Sequence, residues 1–166
     1  DMVSRGLGDV YKRQVEGGEA ILKTTELLSE RGIPVCAHLG LTPQAINRLG
    51  GYYVQGRDLK DKDRILSEAK QLEGAGAEII LLECVPAVLA EEISQSLSVP
   101  TIGIGAGSAT DGQIMVCYDT IGAYSWEKQP KFVKNFMNES NSIFEAFQKY
   151  VSEVKSKEFP SSEHSF

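Results

Sequence analysis

The chain has 166 residues, of which 42 % are apolar and 24 % charged, and its formal charge is −6. That length supports one domain with a sizeable core, and the interleaved charges leave no basic stripe of the kind that holds nucleic acid. Every long apolar run is broken by a charge or a proline, so no membrane span is expected.

In chain order, the first chemical signal is Glu16, which opens the stretch E-G-G. Two glycines let backbone crowd close to the carboxylate, and a hard cation such as magnesium is held by one or two carboxylates plus water and substrate. Residues 19–30 follow, with Ala20, Ile21, Thr24, Leu27 and Leu28 on one helical face and Gly32 as the stop. Residues 33–37, I-P-V-C-A, read as a buried strand that ends on His38. His38 either hydrogen-bonds a substrate oxygen or pins the following loop. Residues 41–61 form a long polar, glycine-rich connection, and connections of this length in compact domains are usually functional.

Residues 63–72 carry Ile65, Leu66, Ala69 and Leu72 at helical spacing, and glycines at 74 and 76 close that helix. Residues 78–82 read as the next strand, and Glu83 stands at its end. A carboxylate half-buried among apolar neighbours has its charged form disfavoured, which moves its pKa upward into the useful range for a general base. The alternative is a helix-entry carboxylate favoured by the dipole of the helix that Pro86 begins over residues 86–97. Residues 99–104 and 113–117 are two further strand candidates, with Gly103, Gly105 and Gly107 closing the first and Asp119 following the second. The run G-I-G-A-G is not a dinucleotide fingerprint, because it leads to another strand and not to a helix N-terminus.

A stripe of Phe132, Phe136, Ile143, Phe144, Phe147, Val151 and Val154, interrupted near Asn138–Asn141, predicts a helical tail that packs on the core, and the final P-S-S-E-H-S-F is expected to be loose. His164 in that stretch reads as solvated, and two histidines give little support to a zinc site. Cys36, Cys84 and Cys117 form no CxxC pair and read as buried small hydrophobes in a reducing cytoplasm, with a reactive thiol as the alternative. Continuous apolar strands alternating with amphipathic helices predict an α/β fold on a parallel sheet. Ligands of such folds sit beyond the carboxyl ends of the strands, where Glu16, His38, Glu83 and Asp119 fall.

The stretches V-C-A-H-L-G-L-T-P-Q, G-G-Y-Y-V-Q-G-R, L-L-E-C-V-P, I-G-I-G-A-G and D-G-Q-I-M-V, in this order, resemble the ketopantoate (3-methyl-2-oxobutanoate) hydroxymethyltransferase family. P-K-F-V-K-N-F at 130–136 and the closing E-H-S-F extend the resemblance over residues 15–166. The family implies a (βα)8 barrel, of which this chain would supply about strands 4 or 5 to 8 plus the C-terminal helices. It implies transfer of a one-carbon unit from 5,10-methylenetetrahydrofolate to 3-methyl-2-oxobutanoate, giving 2-dehydropantoate for pantothenate biosynthesis. It implies Mg²⁺, a cytoplasmic location, small-molecule partners, and a large homo-oligomer, a decamer in bacterial members. On the family pattern Glu83 is the proton acceptor, Glu16 a metal ligand and His38 an active-site histidine.

Departures accompany the match. The family's Asp-Ser substrate motif and two aspartate metal ligands have no counterpart here, and Gln14 stands where the family has a lysine that contacts substrate. Residues 1–14 do not resemble the family and read as an adaptor-derived segment. A typical barrel needs about 250 residues, so the chain is expected to be a fragment that does not catalyse alone. Two alternatives stand beside the transferase: a magnesium-dependent barrel lyase or mutase of the phosphoenolpyruvate/pyruvate type, and a non-catalytic chain.

Overall fold

Five parallel strands follow one another in space in the order in which they occur in sequence. They are β1 (Arg13–Glu16), β2 (Val35–Gly40), β3 (Ala77–Glu83), β4 (Thr101–Ile104) and β5 (Gly112–Gln113). The computed structural model describes residues 13–45, 51–124 and 129–166. Helices α1 (Leu22–Glu30), α2 (Leu59–Gly74) and α3 (Ala87–Ser96) fill the first three crossovers. A doubly wound sheet reverses its strand order part-way; this one does not, and an unreversed parallel series with helical crossovers is the arc of a (βα)8 barrel. Among the described residues no helix is long and apolar enough to cross a membrane.

Side chains alternate across a strand, and that alternation separates two cores. Ala37, Leu39, Ile80 and Leu82 face the helices and pack with Ile65, Ala69, Leu72, Leu89 and Ile93. The opposite face is thinner: Cys36, Leu81 and Ile104 are its buried members, with Ile79 and Phe132 beside them. From Ile79 to Leu82 β3 is therefore apolar on both faces, which is why that run reads as continuous.

Local chemistry fixes the helix boundaries. Asp58 caps α2 by accepting the Asp61 N–H at 2.9 Å. Gly32 and Gly76 take positive φ values of 70° and 93° just past the ends of α1 and α2, the turn conformation glycine reaches without a Cβ penalty. Pro86 sits at the cap of α3, one position earlier than the first-turn place expected for it.

Five expectations need correction. Residues 113–117 are not a strand throughout: β5 stops at Gln113, Met115 turns onto the C-terminal aromatic cluster, and Cys117 begins the short helix α4 (Cys117–Thr120). Cys117 is exposed, whereas Cys36 and Cys84 are buried as expected. The phenylalanine stripe breaks between Glu139 and Ile143, where an interruption is expected, but its residues do not all pack on the core. Phe136 is fully buried in a 3₁₀ turn over Phe136–Glu139 and stacks edge-on with Tyr150 and Phe159, while Phe144 on α5 (Ile143–Ser156) is 70 % exposed.

The last six residues are held in place and are not loose. Ser161 caps a final 3₁₀ turn with His164, whose Nδ1 accepts the Ser161 N–H at 3.3 Å. His164 is accordingly half-buried against the Phe159 ring. Burial, with the charge of Lys134 second, pulls its imidazole below the ordinary range. A neutral ring keeps Nδ1 free to accept. The Ala87 N–H, at the start of α3, donates to the Phe166 carbonyl at 2.9 Å.

Candidate active site

The inner face of the sheet orders the polar residues in rows. Glu16 of β1 lies level with His38 of β2 and Leu81 of β3. One step further along, Gly40 lies level with Glu83, and Glu83 with Ile104. The parity that buries Ile80 and Leu82 under helices therefore turns Glu16, His38 and Glu83 to the opposite face; Glu16 and Glu83 end their strands and His38 stands two residues before the end of β2.

Those three side chains meet. His38 is only 2 % exposed, and its two ring nitrogens look at two different carboxylates. Nε2 lies 3.1 Å from Glu83 Oε2 and Nδ1 lies 3.6 Å from Glu16 Oε1. The Gln14 side-chain amide also reaches Nδ1, at 3.2 Å. An amide nitrogen has only hydrogens to offer, so this contact selects the tautomer in which Nδ1 accepts and Nε2 carries the hydrogen, toward Glu83. The Nε2 approach is close but off the hydrogen-bonding axis, so this buried atom has no aligned acceptor among the described residues. A small movement of the Glu83 carboxylate would align it.

The end of β3 is clamped from both sides. The Leu41 N–H donates to the Glu83 carbonyl at 2.8 Å and the Cys84 N–H donates to the Ile104 carbonyl at 2.9 Å. Cys84 itself takes a left-handed φ of 48°, a conformation that costs a non-glycine residue on the order of 1–3 kcal/mol and concentrates at functional sites. Burial first, and the Glu83 charge second, push its thiol up to about 12, so at neutral pH it is a packing group and not a nucleophile.

Gly40 makes the clamp possible. Its φ is +88°, and a Cβ there would fall 2.2 Å from the Glu83 carbonyl oxygen and 2.8 Å from Val85 Cγ1. β2 and β3 close to this distance only because position 40 has no side chain.

Glu83 also forms part of the wall of a cavity of about 730 Å³. Leu41, Cys84 and Ile104 make its floor at the strand ends, and Phe132 and Phe166 enter from the C-terminal region. Glu16 and His38 lie behind Glu83 and not on this wall. The glycine run Gly103–Gly107 forms a loop stapled by Gln113, whose amide donates to the Gly107 carbonyl and the Thr110 hydroxyl at 2.8 Å each. It leads to β5 and supplies no helix N-terminus.

For a metal, the donor chemistry is limited. Glu16 Oε2 accepts the Gln44 N–H at 3.3 Å, which leaves the carboxylate partly free. Among the described residues no group of three or more histidine, cysteine or acidic side chains is arranged around a common point. One carboxylate fits a magnesium whose other positions are filled by water and substrate, and does not make a cage of its own.

The model of the family described as ketopantoate hydroxymethyltransferase matches residues 7–162. The chain belongs to the ketopantoate hydroxymethyltransferase family. The match opens inside the segment that reads as foreign in sequence, and β1 takes in Arg13 and Gln14 of that segment. Proteins named 3-methyl-2-oxobutanoate hydroxymethyltransferase from Marinobacter nauticus and Chromobacterium violaceum are each 54 % identical over 153 residues, and one from Shewanella oneidensis is 52 % identical. Each alignment covers 92 % of this chain and 58 % of the relative, so the chain spans a little over half their length.

Sequence reasoning placed Glu16, His38 and Glu83 at strand ends, and the structure brings both carboxylates to the ring of His38. It missed Gln14 as the partner of His38 and Phe166 as a cavity residue. The first was hidden by its place in an unfamiliar segment. The second carried no signal of its own periodicity; the only pointer to it was that the closing E-H-S-F resembles the family.

Proposed function

We propose that the ketopantoate hydroxymethyltransferase fold carried by this chain transfers a hydroxymethyl group from 5,10-methylenetetrahydrofolate to 3-methyl-2-oxobutanoate, giving 2-dehydropantoate for pantothenate biosynthesis. The observation that carries the reading is the Glu16–His38–Glu83 row on the inner face, with Glu83 alone opening onto the cavity. The names of the relatives support it.

In this reading Glu83 takes the C3 proton of the keto acid, and the electrons of that C–H bond remain on the substrate as an enolate. C3 then attacks the methylene carbon. Both bonds from the methylene carbon to the folate nitrogens break, one as the oxygen of water adds to that carbon and the other as the carbon becomes bonded to C3, and the two nitrogens end with the proton that left C3 and one proton from water. His38 positions the base: its Nε2–H faces the Glu83 carboxylate, while Gln14 fixes the tautomer from the other side. The thin apolar layer of Cys36, Leu81 and Ile104 beneath the row keeps water from that side.

Glu16 would hold a magnesium ion, which when bound supplies positive charge beside the keto oxygen. Glu16→Ala is expected to raise the magnesium concentration needed for half-maximal turnover by roughly tenfold or more, and an unchanged metal titration would remove Glu16 from that role. Assembly with further copies of the chain fits the exposed apolar face of α5, where Phe144 is 70 % and Val151 46 % exposed. A cytoplasmic setting accords with three cysteines that are all free.

The deciding experiment joins the chain to the part of the Marinobacter nauticus relative that it does not cover. 2-Dehydropantoate formation is then assayed with and without 5,10-methylenetetrahydrofolate. Product that appears only with the folate is the expected result. Turnover of the keto acid that ignores folate would favour a phosphoenolpyruvate/pyruvate-type barrel instead.

A further inference from the structure

One buried carboxylate has no part in the proton chemistry. Glu68 of α2 is 9 % exposed, and an acid is rarely that deep without partners. Its two oxygens serve two donors: Oε1 accepts the Glu19 N–H at 3.3 Å and Oε2 accepts Arg64 Nη1 at 2.7 Å. The carboxyl group also fills the space beside Gly18, where a built Cβ would fall 2.0 Å from Glu68 Cδ. The second glycine of E-G-G is thus the place where a carboxylate from a distant helix comes down on the backbone, two residues after Glu16. The same turn is tied to the sheet by the Gly17 N–H, which donates to the His38 carbonyl at 3.0 Å.

Arg64 is itself oriented. Its Nε donates to Asp61 Oδ1 at 2.9 Å, and Asp61 Oδ2 accepts the Gly56 N–H at 2.5 Å. Gly56 belongs to the connection whose Tyr52, Tyr53 and Arg57 line the cavity. A chain of charge-assisted hydrogen bonds therefore runs from the cavity wall through Asp61, Arg64 and Glu68 to the turn that follows Glu16.

We propose that Glu68, held by Arg64, is a positioning residue for Glu16: it sets the E-G-G turn so that the Glu16 carboxylate stands beside His38, ready for a magnesium ion. The inference rests on the transferase reading, in which Glu16 holds the metal, and deepens it by naming what aims that ligand. Glu68 does not line the cavity and acts through Glu16.

The test titrates Mn²⁺ alone, an oxygen-seeking cation like magnesium, into the full isotope-labelled chain. Paramagnetic broadening of the Gly17 and Gly18 amide signals is read by nuclear magnetic resonance. Glu68→Gln keeps the size of the side chain but offers one acceptor oxygen to two donors. It is expected to raise the Mn²⁺ midpoint by roughly tenfold, the low end of what groups supporting a metal ligand contribute. Arg64→Ala separates aim from charge. It removes a positive charge, so attraction alone would lower the midpoint, whereas a released Glu68 raises it. The Arg64 side chain is 48 % exposed, so this variant folds whether or not Glu68→Gln does. Glu73→Gln is the control for a purely structural role. Glu73 lies on the same helix and accepts the Ser98 and Val99 N–H groups at 2.6 and 3.1 Å. Its loss loosens the fold away from Glu16 and leaves the Mn²⁺ midpoint unchanged.

Three outcomes would overturn the proposal: an unchanged midpoint in Glu68→Gln, an unchanged or lowered one in Arg64→Ala, or equal rises in Glu68→Gln and Glu73→Gln. Glu16→Ala, run alongside, separates this failure from failure of the metal role. Broadening that depends on Glu16 but ignores Glu68 would sink the positioning role alone. Broadening that survives Glu16→Ala, or that is absent from the unsubstituted chain, would remove the ligand on which both rest.

Discussion

Glu83→Gln, made in the chain joined to the uncovered part of the Marinobacter nauticus relative, is expected to slow solvent deuterium entry at C3 of 3-methyl-2-oxobutanoate by roughly 10²–10⁴-fold, the usual contribution of a positioned general base. The substitution keeps shape and removes the ability to take a proton. The clamp on the strand end does not depend on the carboxylate, because it uses the Glu83 carbonyl and the Cys84 N–H. His38 loses a charged neighbour at 3.1 Å and gains an amide oxygen that its Nε2–H can still face. The fold and keto acid binding should therefore survive while exchange collapses. Exchange at the unsubstituted rate would show that another group takes the proton.

The second large effect concerns Gly40. Gly40→Ala is expected to destabilise the chain by on the order of 3 kcal/mol or more, read as a lowered urea midpoint. Two costs add at this position. The backbone is at φ +88°, and the new methyl would sit 2.2 Å from the Glu83 carbonyl oxygen, a backbone atom that can move only if β3 moves. Relief requires parting the strand ends, which breaks the 2.8 Å bond from the Leu41 N–H. Gly74→Ala is the internal control. It lies at the end of α2 with nothing within 4 Å of a built Cβ, so it should change the midpoint little or raise it slightly. Equal effects at the two positions would contradict the packing argument.

The parts of the fold that were legible in sequence share one property. β2, β3 and β4 carry apolar side chains toward both faces, so their runs are uninterrupted and their polar ends stand out. Glu16, His38 and Glu83 were found as departures from those runs. The 113–117 run failed because an apolar run by itself does not say what it packs on. Ile114 and Val116 are 41 % and 50 % exposed, and only Met115 joins a core. The closing P-S-S-E-H-S-F failed for the opposite reason. Its composition is polar, yet a serine cap, one histidine and the Phe159 ring order it through contacts that composition does not encode. Glu83 was legible by itself, whereas the wall around it is not, because loops distant in sequence supply the tyrosines and the far C-terminal stretch supplies Phe166.

The anchoring of the last residue has a practical corollary. Phe166 lines the cavity while its carbonyl is tied to the start of α3. Any affinity tag or fluorescent fusion attached to Phe166 would leave the molecule from the lip of that cavity and crowd its opening.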